Sequence, residues 1–441
     1  MKAKYCMFLL LFNHIIFYGH SQLTQPVFFK NVRIIDGSGS IPQENTNILL
    51  NSGIIQSIGQ QDQPSNARVI DLAGKTIMPL ITNVHGHLGM SKGTTVGSQN
   101  FTRDQILKEL RRYESYGVGN VVSMGTDKEL IFSIRDESRS GKIGGATVFT
   151  AGFGFRPPLG SRPQETGMEK LFRPSTAAEA VENIQSLAAF KPDVVKMWID
   201  AEKIKPEVYR AIISESHKHG IRVAAHLFYL EDAHDLIDAG VDIFAHSIRD
   251  KEVDDALIKK MKEKEIIYIP TLTRDAYEFF YGTTQPWIND PFFGASLEPG
   301  VFEMVTSETY RNNVVNGPRY QSNKDAYDMA LRNLKKLFDA GVLVALGTDS
   351  GAFPPRAQGF SEHLEMELMV TAGLTPLQAI TVATRNAAKA MRLADQGILS
   401  PGMRADFMVL NSNPADNIRA TREIHSVWKK GVQVSNGPLV K

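Results

Sequence analysis

The sequence predicts a (β/α)₈ barrel joined to a small β-sandwich domain that both termini form. Three observations support this fold. Apolar strand candidates alternate with helical stretches through the middle of the chain, short β-like runs with turn signals occupy both ends, and no GxGxxG motif follows a strand candidate. Alternating strands and helices predict a parallel sheet, and the missing glycine motif argues against an open dinucleotide-binding sheet. A chain of 441 residues is long enough for such a barrel with an attached domain.

The two ends of the chain have the same β-like texture. Residues 27–77 are short apolar runs broken by turn signals such as GSGS at 37–40, which indicates strands and hairpins. The closing stretch QGILSPGMRADFMVLNSNP, residues 396–414, returns to that pattern. The simplest packing joins both ends in one sandwich, so we predict sandwich segments at 22–78 and 395–441 around a barrel at 79–394.

The middle of the chain offers eight strand candidates with helical patterns between them. Their residue ranges are 77–85, 119–124, 146–151, 193–199, 222–227, 242–247, 266–271 and 342–348. Residues 102–116, TRDQILKELRRYESY, form one predicted helix. Another is predicted at 206–220, where Pro206 stands early and Gly220 just past the end, as helix termini prefer.

The first residues are typical of an export signal. Lys2 and Lys4 precede an apolar run at 7–18, and the small residues Gly19 and Ser21 follow at the spacing that a signal peptidase needs. We therefore expect cleavage after residue 21 and a periplasmic or secreted protein. An apolar strand or a membrane anchor is the less favoured alternative, since the run is too short to cross a bilayer.

Charge and cysteine content exclude several classes of function. Lys and Arg number 49 against 48 Asp and Glu, for a formal net charge of +1, so nothing favours nucleic acid or, after signal cleavage, a membrane surface. The only cysteine, Cys6, lies in the predicted signal. The mature chain would then lack disulfides, cysteine nucleophiles and cysteine-ligated zinc. A small molecule or dipeptide-like substrate is the expected partner, and a homo-oligomer stays open.

Metal-ligating residue types fall at the predicted carboxyl ends of strands. His85 and His87 close the first strand as VHGH, and the two-residue period puts them on one side. His226 ends the fifth strand, His246 the sixth, and Asp349 follows the eighth. Each alone has a structural explanation, as a turn residue or a core histidine. Together they predict a metal site, because barrel active sites are assembled from strand ends, and imidazole and carboxylate suit zinc or a similar divalent ion.

Lys196 stands out in the fourth strand candidate. It interrupts the otherwise apolar run DVVKMWID, residues 193–200. Burying an ammonium group is costly unless it is paired or chemically changed. We therefore add Lys196 to the candidate site.

Taken together, these motifs resemble the amidohydrolase superfamily in its binuclear, carbamylated-lysine subtype, over nearly the whole mature chain. The resemblance rests on the histidine pair, Lys196, the two later histidines, Asp349 and the closing SPGMRADFMVLNSNP. The stretches VVKMWID, HLFYLEDA and FAHSIRDKEVDD look most like imidazolonepropionase-related and prolidase-like hydrolases. Lys196 favours the prolidase-like side. Leu80 and Asn83 depart from the family, which usually has a glycine and an acid at these positions.

The resemblance implies two divalent metal ions, with zinc as the expected metal, and a CO₂-derived carbamate on Lys196 that bridges them. By carry-over, His85, His87 and Asp349 would bind one metal, and His226 and His246 the other. A water shared by the two ions would attack the substrate as a bridging hydroxide. Asp349 would be the catalytic residue that moves the proton.

Residues near the barrel mouth are candidates for substrate contacts. Tyr229 and Arg249 follow the metal histidines of strands five and six and could orient a carbonyl or carboxylate, although surface exposure explains them equally well. His363 lies in a helical pattern after strand eight, as a supporting candidate. Residues 274–322 are rich in aromatics. They are predicted either to roof the substrate or to pack on one another or in a dimer contact.

The leading functional hypothesis is a metal-dependent hydrolase of an amide bond, such as that of a dipeptide or an N-acyl amino acid. A lactone, cyclic amide or organophosphate hydrolase on the same site is the nearest alternative, because the loops and not the metals choose the substrate. An inactive barrel that acts as a binding protein is an alternative of another class. An NAD- or flavin-dependent enzyme is disfavoured by the missing glycine signature.

Overall fold

The computed structural model describes residues 25–158, 171–199 and 204–439. The predicted export signal, 1–21, lies outside the described residues. Within those ranges, none of the helices has the length and apolar character needed to cross a membrane.

The first and last strands of the chain belong to a β-rich terminal part, and the strands between them belong to a central α/β part. In chain order they are β1 Val27–Ile34, β2 Gln43–Asn51, β3 Ile54–Gly59, β4 Arg68–Asp71, β5 Thr76–Pro79, β6 Ile81–Gly86, β7 Ser91–Lys92, β8 Thr95–Val96, β9 Val118–Ser123, β10 Thr147–Thr150, β11 Val195–Trp198, β12 Val223–His226, β13 Ile243–Ala245, β14 Ile267–Ile269, β15 Leu343–Val344, β16 Phe407–Leu410, β17 Ile424–Lys429 and β18 Val432–Ser435.

The α-helices lie mostly between the central strands. In chain order they are α1 Arg103–Ser115, α2 Leu130–Ser140, α3 Ala177–Ala188, α4 Pro206–Lys218, α5 Leu230–Ala239, α6 Asp255–Glu263, α7 Leu272–Ala276, α8 Pro291–Gly294, α9 Val301–Thr306, α10 Glu308–Val315, α11 Tyr320–Asp339, α12 Phe360–Thr371, α13 Pro376–Thr381 and α14 Ala387–Ala390. A π-helical turn, Val382–Asn386, joins α13 to α14.

Strands from both ends of the chain share one sheet. It has eight strands in the order β18-β17-β16-β5-β1-β2-β3, with β4 paired to β1. The N- and C-terminal parts meet where β5 pairs with β16 in antiparallel register, with Met78 opposite Met408. The described residues thus show a single mixed sheet in place of the predicted sandwich, with its own buried core around Phe29, Phe407 and Trp428.

The central strands form two parallel sheets that meet at both edges. One has the order β10-β9-β6 and the other β11-β12-β13-β14-β15. Parallel bridges join Phe155 to Met197 at one edge and Gly86 to Ser350 at the other. The amide of Val84 also donates to the carbonyl of Leu346 at 2.9 Å. This mixed α/β arrangement is consistent with the predicted barrel.

The predicted helices form where their end signals stand. Thr102 caps α1, and its side chain accepts a hydrogen bond from the amide of Gln105. Helix α4 begins at Pro206, whose fixed φ suits a first helical position. Past its end, Gly220 adopts a φ of 71°, a left-handed conformation that glycine reaches without strain.

The predicted first strand, 77–85, divides in the structure into β5 and β6. The division falls at Leu80, whose amide bonds to the carbonyl of Asp406 at 3.3 Å, before the chain enters the central sheet.

The aromatic segment 274–322 carries short helices, α7 to α10. Most of its rings are buried against one another, as in the contact between Trp287 and Phe293 at 4.7 Å between ring centroids. The alternative of mutual packing therefore describes these rings.

Candidate metal centre

The centre of the candidate site is a contact between β6 and the segment after β15. Strand β6 is buried along its whole length, and the histidine pair stands at its end. Asp349 lies in the segment that follows β15. Nε2 of His87 lies 2.7 Å from Oδ1 of Asp349, and Nε2 of His85 lies 3.3 Å from the same oxygen. The three residues offer ligand atoms that all lie within 4.8 Å of one another.

The two later histidines extend this group. His246 follows β13, and its ring centroid lies 4.5 Å from that of His85. His226 ends β12, and its ring lies 4.2 Å from that of His246. The four imidazoles and Asp349 therefore form one continuous group at strand ends.

Lys196 belongs to the same neighbourhood. It lies in β11, opposite Ala224 of β12, and is fully buried. Its positive charge contributes to lowering the pKa of His85 and of His226. The structure thus brings all six predicted metal ligands together, and their roles in binding are taken up below.

Burial keeps the imidazoles of His85, His226 and His246 uncharged. It lowers the pKa of His85 to about 3, and the nearby Lys196 acts in the same direction. Burial likewise holds the pKa of His226 and of His246 well below the usual range. Neutral imidazole is the form that binds a metal.

Asp349 has the opposite character. Burial alone would raise the pKa of its carboxyl group, but the Arg356 guanidinium and the histidine pair outweigh this and hold the pKa well below its usual range. The group is therefore an ionised carboxylate at neutral pH. Together with the four imidazoles it forms a nitrogen and oxygen donor set.

Hydrogen bonds fix some of the rings and leave others to a ligand. Nδ1 of His87 bonds to Oγ1 of Thr126 at 2.7 Å, and Nδ1 of His246 bonds to Oγ1 of Thr271 at 2.7 Å. By contrast, Nδ1 of His85 and Nδ1 of His226 are buried and have no hydrogen-bond partner in the described part of the chain. Buried polar atoms without partners are rare in stable folds. These donor atoms therefore fit a bound metal ion.

Backbone strain is concentrated at the same place. His246 has a φ of 97°, Asp349 of 58° and Thr271 of 50°. Left-handed backbone is uncommon for residues other than glycine and persists only where the surroundings enforce it. Such strain at two predicted ligands and at a residue that holds one of them is typical of a functional site.

The structure adds one residue that the sequence analysis missed. Arg356, in the segment after Asp349, contacts Oδ2 of that residue with one nitrogen and Oε1 of Glu278 at 2.9 Å with another. It is 7% exposed, so the ion pairs are shielded from water. The sequence offered one indication of this role. Arg356 lies seven residues after the last predicted ligand, in a segment that a barrel places at its mouth.

The three predicted substrate contacts are not equivalent. Tyr229 is exposed at the start of α5, three residues after His226. Arg249 is buried and held by Asp275 at 3.2 Å, so it braces the loop after β13. The suggested substrate contact of His363 is corrected: this ring is fully buried, and its nitrogens bond to Thr421 at 3.0 Å and to the carbonyl of Tyr116 at 2.9 Å.

The sequence of the chain resembles those of known proteins. The model of the amidohydrolase family matches residues 76–434. An imidazolonepropionase from Deinococcus deserti is 40% identical over 104 residues, which are 23% of this chain and 26% of that protein. The aligned stretch thus spans about a quarter of that curated relative.

Solved structures resemble the chain over nearly its full length. A candidate prolidase from Bifidobacterium longum has a TM-score of 0.75 and 22% identity, and the match covers 95% of this chain and 97% of that one. A Xaa-Pro dipeptidase with bound methionine in its active site has a TM-score of 0.73 and 21% identity, and the match covers 93% and 99%. At this identity, the likeness establishes the fold.

Proposed function

Because the chain belongs to the amidohydrolase family, we propose that it is a metal-dependent hydrolase that cleaves a carbon–nitrogen bond. The observation that carries the proposal is the convergence of His85, His87 and Asp349, whose ligand atoms lie within 4.8 Å of one another. The prolidase-like neighbours support the same reaction class.

The proposal includes the barrel itself. The two parallel sheets would close at their shared edges into one (β/α)₈ barrel at 79–394, with the terminal strands as a separate β domain. The bridges from Phe155 to Met197 and from Gly86 to Ser350 support this closure. Closure would bring the carboxyl ends of all the central strands to one mouth, where catalytic residues of such barrels stand.

The donor set suits two divalent ions, with zinc as the first candidate. His85, His87 and Asp349 would hold one, and His226 and His246 the other, with Lys196 between them as a carbamate. Bound metal ions of this kind lower the pKa of a water and polarise a carbonyl group. Nitrogen and carboxylate donors are what zinc accepts in catalytic sites.

Asp349 would move the proton of the reaction. Arg356 engages Oδ2, so Oδ1 is the oxygen that faces the imidazoles. Its depressed pKa keeps the group ionised, the form that can accept a proton. Asp349 would take this proton from the attacking water and pass it to the leaving nitrogen as the carbon–nitrogen bond breaks, giving an acid and an amine.

The substrate class we favour is a dipeptide or an N-acyl amino acid with a free carboxylate. Arg274 supports this, because its side chain is 23% exposed and pairs with Asp275 through Nη1 at 2.8 Å. After burial and Lys196, its charge also contributes to lowering the pKa of His226. A guanidinium binds a carboxylate through two parallel hydrogen bonds. Tyr229, an exposed residue three positions after His226, is a second polar candidate.

The decisive experiment measures metal content and hydrolysis together. Wild type and Lys196→Ala are compared by elemental analysis and on a panel of dipeptides, N-acyl amino acids, lactones and organophosphates. Lys429→Ala is the matched control, since Lys429 is also a largely buried lysine but pairs with Glu114, away from the site. We expect about two metal ions per wild-type chain, and a loss of both metal and hydrolysis in Lys196→Ala alone.

Other outcomes would redirect the proposal. A wild-type protein that binds no metal and cleaves nothing after metal is restored would be a binding protein instead. Hydrolysis confined to lactones or organophosphates would change the bond but keep the centre. For the favoured substrates, Arg274→Gln should raise KM for free acids about tenfold or more and leave KM for their amide-capped forms unchanged.

A further inference from the structure

Helix α12 is unusual because it carries acidic side chains into the interior. Its first ten residues, from Phe360 to Met369, are all buried. Glu362 and Glu365 lie one turn apart on it, and both are fully buried. Burying a carboxylate is costly unless its oxygens accept hydrogen bonds, so the partners of these two groups show what they hold.

Glu362 joins the two segments that carry the central ligands. Its Oε1 accepts hydrogen bonds from Nδ2 of Asn83 at 2.6 Å, from Oγ1 of Thr348 at 2.7 Å and from Oγ of Ser350 at 2.8 Å. Asn83 lies two residues before His85. Thr348 and Ser350 stand on either side of Asp349. One carboxylate oxygen therefore ties β6 to the segment after β15.

The connection reaches the ligand backbone directly. Oδ1 of Asn83 accepts a hydrogen bond from the amide of His85 at 2.9 Å. The other oxygen of Glu362 accepts from the amide of Gly359 at 2.7 Å, in the first turn of the helix. The carboxylate is thus anchored to its own helix and holds the strand end from there.

Glu365 does the same for the opposite side of the site. Its Oε1 accepts from the amide of Leu272 at 2.7 Å, and its Oε2 accepts from the amide and the hydroxyl of Thr273 at 2.7 and 2.8 Å. These residues directly follow Thr271, whose hydroxyl bonds to His246. Thr271 has a strained backbone, so its conformation depends on this anchorage.

We propose that helix α12 supports the candidate metal site from within, with Glu362 positioning His85 and Asp349 and Glu365 positioning His246. The inference rests on the proposed function, because it takes these three residues as metal ligands. Neither glutamate is a catalytic residue, since each acts through Asn83, Thr348 and Ser350 or through the turn at Thr271–Thr273. Residues that orient metal ligands typically change metal affinity about 10- to 100-fold when they are replaced.

The test compares three glutamates of one helix in the full chain. Glu362→Gln and Glu365→Gln are set beside Glu367→Gln. Glu367 pairs with Arg419 at 3.2 Å and with Arg422, so it controls for the loss of a buried carboxylate without touching the site. Binding of Zn²⁺ and Co²⁺ is measured by calorimetry, and the visible spectrum of bound Co²⁺ reports ligand geometry.

We expect the two inner variants to bind metal about 10- to 100-fold more weakly and to alter the Co²⁺ spectrum. Glu367→Gln should match wild type in both readouts. If metal binds to wild type in two steps of unequal affinity, Glu362→Gln and Glu365→Gln should each weaken a different step. A general loss of stability would not produce such a pattern.

A charge exchange separates positioning from simple disruption. Asn83→Asp alone puts two carboxylates in contact and should weaken metal binding. The double variant Asn83→Asp/Glu362→Gln restores one donor and one acceptor between the two positions. The carboxylate at position 83 still accepts a hydrogen bond from the amide of His85, and the side-chain amide at position 362 donates a hydrogen bond to that carboxylate. The hydroxyls of Thr348 and Ser350 can rotate to suit. We expect the double variant to recover most of the lost affinity.

The outcomes separate this inference from the proposed function. Wild type that binds metal, together with Glu362→Gln and Glu365→Gln that bind it equally well, would overturn the positioning role and leave the proposed function standing. Wild type that binds no metal would overturn both. If Glu362→Gln does not fold, Ser350→Ala removes only one of the three hydrogen bonds, and unchanged metal affinity in that variant would count against the role of Glu362.

Discussion

Asp349 and His87 are 262 positions apart in the sequence, yet Nε2 of His87 lies 2.7 Å from Oδ1 of Asp349. The contact joins the end of the first central strand to the segment after the last one. It places a carboxylate against the imidazoles at the seam where the two parallel sheets meet. The chemistry of the site therefore depends on the closure of this seam.

Replacing Asp349 by asparagine should weaken metal binding by at least about tenfold. The amide keeps the shape of the side chain but removes the negative charge that a divalent ion requires. Calorimetric titration with Zn²⁺ measures the change. Asp406→Asn is the control, because Asp406 also pairs with an arginine, Arg404, at 2.6 Å but lies in the terminal sheet. Equal affinities in wild type and Asp349→Asn would remove Asp349 from the ligand set.

Gly347→Ala should disturb the site by steric means alone. A Cβ at this position would clash with the side chain of Ile269 and lie 2.7 Å from Cβ of His85. Overpacking of this kind costs about 1–3 kcal/mol of stability, and relief of the clash requires His85 to move. We expect lower stability in urea unfolding and weaker metal binding.

Gly144→Ala is the control for that substitution, since a Cβ there meets no atom within 4 Å. It should leave both stability and metal binding near the wild-type values. Gly347→Ala that binds metal normally would indicate that His85 tolerates displacement and is a poor candidate for a ligand.

The buried His363 should make the protein sensitive to acid. Burial lowers the pKa of this ring from its ordinary 6.5 to about 3. Between these values the unfolded chain binds a proton that the folded chain does not, so the contribution to stability is full above pH 6.5 and is lost as the pH falls. The slope from one such group approaches about 1.4 kcal/mol per pH unit.

His363→Gln removes that titration while it keeps one donor and one acceptor for Tyr116 and Thr421. Its free energy of unfolding, measured in urea between pH 6.5 and 4, should fall less steeply with acid than that of wild type. Identical slopes would show that the ring is protonated in the folded protein and would refute the assignment of a neutral buried imidazole.

The positions of the candidate ligands at strand ends could be predicted because each depends on local information. A polar residue at the end of an apolar run is visible in the sequence, and parallel strands carry their carboxyl ends to the same side. His226 and His246 needed no more than this. The extent of the last strand was not predictable in the same way, since 342–348 reads as one apolar strand but only Leu343–Val344 is one. The backbone leaves strand geometry towards Asp349, whose positive φ has no signature in the pattern.

The supporting residues could not be found from the sequence because their roles depend on distant packing. Glu362 and Glu365 lie in SEHLEME, where three acids in a helical pattern predict a solvated face. Their burial depends on the packing of α12 against the segments at the strand ends. Arg356 likewise acquires its partners from Asp349 and from Glu278, which lies 78 positions away.

Trp287→Ala tests whether the aromatic segment serves the fold or the substrate. The ring is 6% exposed and contacts Phe293 at 4.7 Å and Phe360 at 5.1 Å between centroids. Loss of a buried ring of this size costs about 3–5 kcal/mol, so thermal and urea unfolding should both show marked destabilisation. Phe302→Ala, at a 36% exposed position in the same segment, should cost far less.

Metal content discriminates between the two roles. If the segment is a scaffold, Trp287→Ala at low temperature should still bind metal at the wild-type stoichiometry and cleave small substrates with an unchanged KM. A raised KM for aromatic substrates with unchanged stability would mean instead that Trp287 lies over the substrate. Because Phe360 is the first residue of α12, a loss of metal affinity in Trp287→Ala would have a third meaning, that the ring helps to hold the helix that carries Glu362.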